Sequence, residues 1–104
     1  MTKRPRALRR ELARSEDKLA RARERLAALE AGGTPAHPAA VESASQVEGR
    51  AEQLECLRCA GALRVVEHRA RVDPRAGSVR EVQLRCAACG AERLAYFRIA
   101  SALH

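Results

Sequence analysis

Two cysteine pairs constrain this chain more than any other feature. Cys56-Leu57-Arg58-Cys59 and Cys86-Ala87-Ala88-Cys89 are each a C-x-x-C, and residues 60–85 lie between them. Two intervening residues let one tight turn present both sulfurs to a single ion. Four thiolates complete a closed tetrahedral shell around Zn²⁺. Gly61 and Gly90 follow the pairs closely. Glycine permits the positive φ that such turns need and lets backbone N–H groups approach the sulfurs. The spacing is somewhat long for such sites, but its content suits a β-hairpin. The reading is one structural zinc ion held by Cys56, Cys59, Cys86 and Cys89. Two alternatives stay open. Rubredoxin-like iron uses the same ligands, normally inside an aromatic-rich shell that this chain lacks. Paired disulfides, or a zinc centre that releases its ion on oxidation, come third.

Composition bounds the rest. A chain of 104 residues holds one small domain and an arm. With one Phe, one Tyr and no Trp, a large aromatic core is excluded. Arginine occurs 18 times and alanine 22 times, against two lysines. That bias reads as GC-rich coding, so arginine enrichment alone is no functional signal. No apolar run approaches the roughly 18 residues of a membrane span. The basic stretch from Met1 to Arg10 lacks a following apolar segment, so no secretory signal is expected. The expected location is cytoplasmic, where thiols stay reduced and metal is favoured over disulfides.

The formal charge of +7 is unevenly placed: residues 1–31 carry ten Lys/Arg against five Asp/Glu, and the remainder ten against eight. Four thiolates and one Zn²⁺ sum to −2, so the metal-bearing part is near neutral. The positive field belongs to the arm.

In chain order, residues 6–30 read as a helix. Leu12, Leu19 and Leu26 recur every seven residues, and Leu8, Ser15, Ala22 and Leu29 fill the other seam position. Gly32-Gly33 ends it and Pro35 prevents resumption. Residues 31–45 read as a flexible linker of small residues, with His37 solvated within it. Ser45-Gln46-Val47-Glu48 matches a capping box, which predicts a short helix to about Gln53. Leu63 to Arg69 and Val79 to Arg85 read as strands joined by Asp73-Pro74-Arg75-Ala76-Gly77, a turn sequence. In the returning strand Val82 and Leu84 share a face. Arg93 to Ile99 reads as a third strand, and Ala100 to His104 as a frayed end. His68 lies mid-strand and reads as a packing or surface histidine, because a four-cysteine shell has no vacancy.

The order turn, hairpin, turn, closing strand, together with Cys56, Cys59, Cys86, Cys89, Gly61 and Gly90, resembles the C4-type zinc-ribbon superfamily from about Leu54 to Ile99. The whole chain also looks like small bacterial proteins that join an N-terminal coiled coil to such a ribbon. One departure is Ala60, where ribbons often carry glycine directly after the second cysteine. The resemblance implies a fold and a metal, and it implies no single function. The predicted class is α+β: a basic amphipathic or coiled-coil helix over 1–31, a flexible linker with a short helix over 32–53, and a three-stranded antiparallel zinc ribbon over 54–104.

Functional expectations follow. The chain reads as a non-catalytic binding or adaptor protein that contacts a protein partner, with homodimerisation through residues 8–29 as one route. The alternative is nucleic-acid or transcription-associated binding through Arg9, Arg10, Arg14, Arg21 and Arg25 on the helix and Arg71 and Arg75 on the hairpin. Scarce aromatics for stacking and a near-neutral ribbon weigh against it. Transcript-cleavage ribbons carry paired acids at the hairpin tip. Here Asp73 is followed by Pro74, and no P-loop, nucleophile elbow or dinucleotide motif is present. No enzyme activity, small-molecule substrate or membrane association is expected.

Overall fold

A computed structural model describes residues 5–100. Helix α1 spans Arg6–Leu29, close to the stretch that its helix-forming composition predicts. Its leucines do not form an internal seam. Leu8, Leu12, Leu19, Leu26 and Leu29 are all exposed, from 41% at Leu8 to 84% at Leu29. The buried positions of α1 are Ala20 and Ala27. The chain thus forms no coiled coil by itself, and its helix docks by an alanine stripe instead. Close approach of a helix to a turn requires small side chains, and leucine would hold the two apart.

Residues 31–45, which read as a linker, are tied down. The Gly32 N–H donates to the His37 carbonyl at 2.7 Å, and the Gly32 carbonyl accepts from the Tyr96 N–H at 2.9 Å. Strand β1 follows at Ala39–Val41. It runs parallel to the last strand, with Ala39 opposite Phe97 and Val41 opposite Ile99. Two of its three residues are alanines, with little strand preference, so β1 exists because an open sheet edge receives it. Val41, 3% exposed, anchors it in the core.

A 3₁₀ turn at Ala44–Gln46 leads into helix α2, Val47–Glu52. The cap sits two residues before the predicted one. The Gln46 side chain accepts the N–H groups of Glu42 and Ser43 at 2.8 and 3.3 Å. Val47 and Ala51 point inward and are fully buried.

Strand β2 spans Leu63–Asp73, β3 spans Gly77–Cys86 and β4 spans Glu92–Ile99. The sheet order is β1-β4-β3-β2, so there are four strands where three were expected. The hairpin pairs Leu63 with Cys86 at one end and Asp73 with Gly77 at the other, and its register shifts at a bulge between Val65 and Glu67. At the tip the Asp73 carboxylate accepts the N–H groups of Arg75 and Ala76 at 2.8 and 2.9 Å.

One core joins these parts. Val41, Val47, Ala51, Leu63, Val82, Leu84, Ala95 and Phe97 cluster with Cys56 and Cys86. Val82 and Leu84 share the buried face as their alternation predicts, both 0% exposed. The cysteine turns therefore continue the apolar core. No described helix is long and apolar enough to cross a membrane. The expected fraying of the C-terminus falls largely on residues 101–104, outside the described residues.

Candidate metal centre

The two cysteine turns are close copies of one backbone design. The Cys56 N–H donates to the Gly61 carbonyl at 3.0 Å, and the Cys86 N–H donates to the Ala91 carbonyl at 2.8 Å. The Ala60 and Gly90 N–H groups return to the carbonyls of Cys56 and Cys86 at 2.9 and 3.0 Å. The residue after each second cysteine is left-handed, with φ of 62° at Ala60 and 77° at Gly90. Ala60 thus adopts the turn despite its side chain. Gly61 serves differently from the expectation: a Cβ there would lie 3.0 Å from the Cys86 sulfur and 3.1 Å from the Cys59 sulfur. Only glycine leaves the space between the two sulfur pairs open.

All four sulfurs lie within 4.8 Å of one another. Cys56 and Cys89 Sγ are 3.6 Å apart, and Cys59 and Cys86 Sγ are 3.4 Å apart. A regular tetrahedron with arms of about 2.3 Å has edges of about 3.8 Å, so the cluster has the size of a tetrathiolate shell. Cys56 and Cys86 are buried, while Cys59 and Cys89 face solvent.

Backbone dipoles already favour thiolates here. The Arg58 N–H points at the Cys56 sulfur, and the Ala88 and Cys89 N–H groups point at that of Cys86, each at 3.4 Å. The Cys86 thiol is lowered to about 6, first by the Cys89 N–H. The Cys59 thiol is pushed up to about 12, chiefly by its hydrogen bond with Cys86. Crowded sulfurs cannot all ionise alone, and a divalent cation among them removes that penalty.

The first turn is also where α1 docks. Arg58 Nη2 meets Asp17 Oδ1 at 2.6 Å, and Arg23 Nη1 donates to the Arg58 carbonyl at 3.4 Å. Ala20, one helical turn from both Asp17 and Arg23, is 3% exposed between them. Ala27 lies under the Gly33 backbone, where an added Cβ would collide with the Ala27 carbonyl. Arg93 Nη1 donates to the Glu55 carbonyl at 2.7 Å and ties β4 to the same turn. The sequence carried a signal for this docking, since Ala20 and Ala27 are also seven residues apart.

His68 stands apart from the cysteines. Its Nδ1 lies 3.0 Å from Glu48 Oε2, so it fastens β2 to α2. The arginines named for nucleic acid fall into two separate sets. Arg9, Arg10, Arg14, Arg21 and Arg25 are exposed on α1 and form no ion pair among the described residues. Arg71 is engaged: it holds Glu81 at 2.6 Å and lies 6.0 Å over the Tyr96 ring. Arg75 sits at the hairpin tip, ten residue pairs along β2 and β3 from the cysteines.

Sequence reading passed over Glu81. It is 7% exposed and accepts Arg69 Nε at 2.9 Å as well as Arg71. The alternation of Arg69 and Arg71 on β2 with an acid on β3 was the available signal. Comparison of the chain with protein-family models, curated proteins and solved structures returns no match.

Proposed function

We propose that this chain is a non-catalytic zinc-ribbon binding module, with one structural Zn²⁺ held by Cys56, Cys59, Cys86 and Cys89. The observation that carries the reading is the tetrahedron-sized cluster of four sulfurs, built on two matching backbone turns. Four thiolates fill a zinc shell, leaving no position for water or substrate, which is why the metal is read as structural. The domain is too small to be held by its core alone, so metal binding and folding are coupled.

The ribbon's partner is read as a protein. Strand β2 is an edge of the sheet. Helix α2 covers its first half, where Glu52 Oε2 accepts the Val65 N–H at 3.0 Å and Glu48 holds His68. Among the described residues nothing comparable caps the stretch from Ala70 to Asp73, and Val72 is 77% exposed there. An uncovered edge of this kind accepts an added strand.

A second reading rests on Arg10, Arg14, Arg21 and Arg25, which share one face of α1 at spacings of four, seven and four. Such a face fits a phosphate backbone, and its binding would weaken steeply with salt.

Metal analysis of the purified chain tests the first reading, with one zinc per chain expected. Cobalt substitution should give the intense visible absorption of tetrahedral thiolate ligation. A chain that takes up no zinc, or binds it equally well with Cys56 and Cys86 replaced by serine, would overturn it. A mobility-shift titration at about 50 mM salt decides the second reading.

A further inference from the structure

The faces of α1 are used unequally. At about 100° per residue, the leucine seam lies roughly 120° round the helix from the stripe of Ala20 and Ala27 that docks on the cysteine turn. The docked stripe is small and buried, while the seam is large and bare: Leu12 is 41% exposed, Leu19 52% and Leu26 62%. A surface helix normally turns its leucines toward the core. This one has spent its contact with the sheet on alanine.

Charges beside the seam indicate what covers it. One flank runs Arg9, Glu16, Arg23, Glu30, alternating in sign every seven residues. The other runs Glu11, Lys18, Arg25. In a parallel pair one flank faces the other. Glu11 then meets Glu16 and Lys18 meets Arg23, with only Arg25 and Glu30 matched. In an antiparallel pair each flank faces its own reverse. Glu16 meets the second copy's Arg23, Arg9 meets its Glu30, and Glu11 meets its Lys18. Among these flank positions only Arg25 finds no partner of opposite sign. The same register sets Leu8 against Leu26, Leu12 against Ala22 and Leu19 against Ser15, a large residue over a small one in two of three layers. The buried stripe of Ala20 and Ala27 lies on another face, which leaves Leu12 and Leu19 exposed; at the far end Leu26 borders a groove shared with Leu57 and Ala60.

We propose that α1 is an antiparallel dimerisation helix whose partner is the same segment of a second copy of this chain. The surface is distinct from the metal centre and from the β2 edge, and the argument does not depend on what the ribbon contacts. Closed two-fold pairing of one patch with itself is the commonest form of assembly.

Sedimentation of the zinc-loaded full chain between about 1 and 100 μM should show a monomer–dimer equilibrium, with twice the 11.4 kDa mass at the upper end. Leu19→Asp should leave a monomer with an unchanged circular dichroism spectrum. Glu16→Arg, on an exposed position, should weaken the dimer about tenfold, and adding Arg23→Glu should restore it to within about twofold. A chain that stays monomeric at 100 μM overturns the proposal, including one whose α1 instead binds anionic vesicles. So does a dimer that survives Leu19→Asp. A dimer strengthened by Glu16→Arg overturns the antiparallel assignment, because that change repairs the parallel pairing with Glu11.

Discussion

Asp17 in the middle of α1 and Arg58 inside the first C-x-x-C share an ion pair at 2.6 Å. The arm is thereby fastened to the turn that carries two of the four clustered cysteines. Both side chains are about half exposed, at 47% and 52%. Such pairs contribute little to stability, and the adjoining alanine packing carries the docking. Replacing Arg58 with alanine should hardly move the melting temperature. Ala20→Arg should detach the helix, because the larger side chain cannot fit where Ala20 is buried. Hydrogen exchange should show α1 losing protection while β2 and β3 keep theirs. Equal loss in both regions would mean that the helix is integral to the fold.

The two turns offer a matched pair of backbone tests. Ala60 is left-handed, a conformation costing about 1–2 kcal/mol for a residue with a side chain. Ala60→Gly should stabilise the zinc-loaded protein by about 1 kcal/mol in chemical denaturation. Gly90→Ala should destabilise it by a similar amount, since the added Cβ meets nothing within 4 Å and only strain remains. Gly61→Ala should act otherwise and lower zinc affinity directly, because its Cβ would press on the sulfurs of Cys59 and Cys86. Competition with a chromophoric chelator reads that change. Unaltered affinity in Gly61→Ala would show that the sulfur pairs have room to move apart.

Removing the metal should loosen the helix as well as the sheet. Cys56 and Cys86 belong to the apolar core, and the first turn is the helix's dock. A strong chelator should abolish the cooperative thermal transition of the domain and expose α1 to protease. Protection of α1 that persists after verified metal loss would show that its docking does not need the ion.

Acid should act on the hairpin tip through Asp73. The N–H groups of Ala76 and Arg75 hold its carboxyl below the usual range. The folded form therefore binds its proton less readily than the unfolded chain. Its contribution is present above the ordinary carboxylate range, near pH 4, and disappears as pH falls through the depressed value. Asp73→Asn should melt below the wild type at about pH 7, with the gap closing toward about pH 3. A gap that persists in acid would mean that the charge of Asp73 is immaterial to the turn.

The parts of this fold that were legible in the sequence are the local ones. C-x-x-C spacing fixes both turns within six residues, and Asp73 through Gly77 specify their own tip. Val82 and Leu84 reveal the buried face by alternation. What the sequence hid depends on distant partners. Ala39 to Val41 become a strand only because β4 leaves an edge open to them. The leucine seam misled because apolar periodicity marks a face that will be covered without saying by what. The alanine stripe that docks has the same seven-residue period and far less hydrophobicity. The capping box was misplaced by two residues because Ser43 with Gln46 and Ser45 with Glu48 fit the same pattern, and only packing of Val47 and Ala51 chooses between them.

The path from α1 into the sheet has a mechanical consequence. Gly32 is bonded to Tyr96 of β4, and β1 lies along the same strand a few residues later. The arm therefore has no free hinge at its base. Tilting it would strain the strand beside it, so whatever grips the helix also tugs on the sheet's outer edge. The segment works as a lever set in the wall of the domain, and force or occupancy at one end is felt at the other.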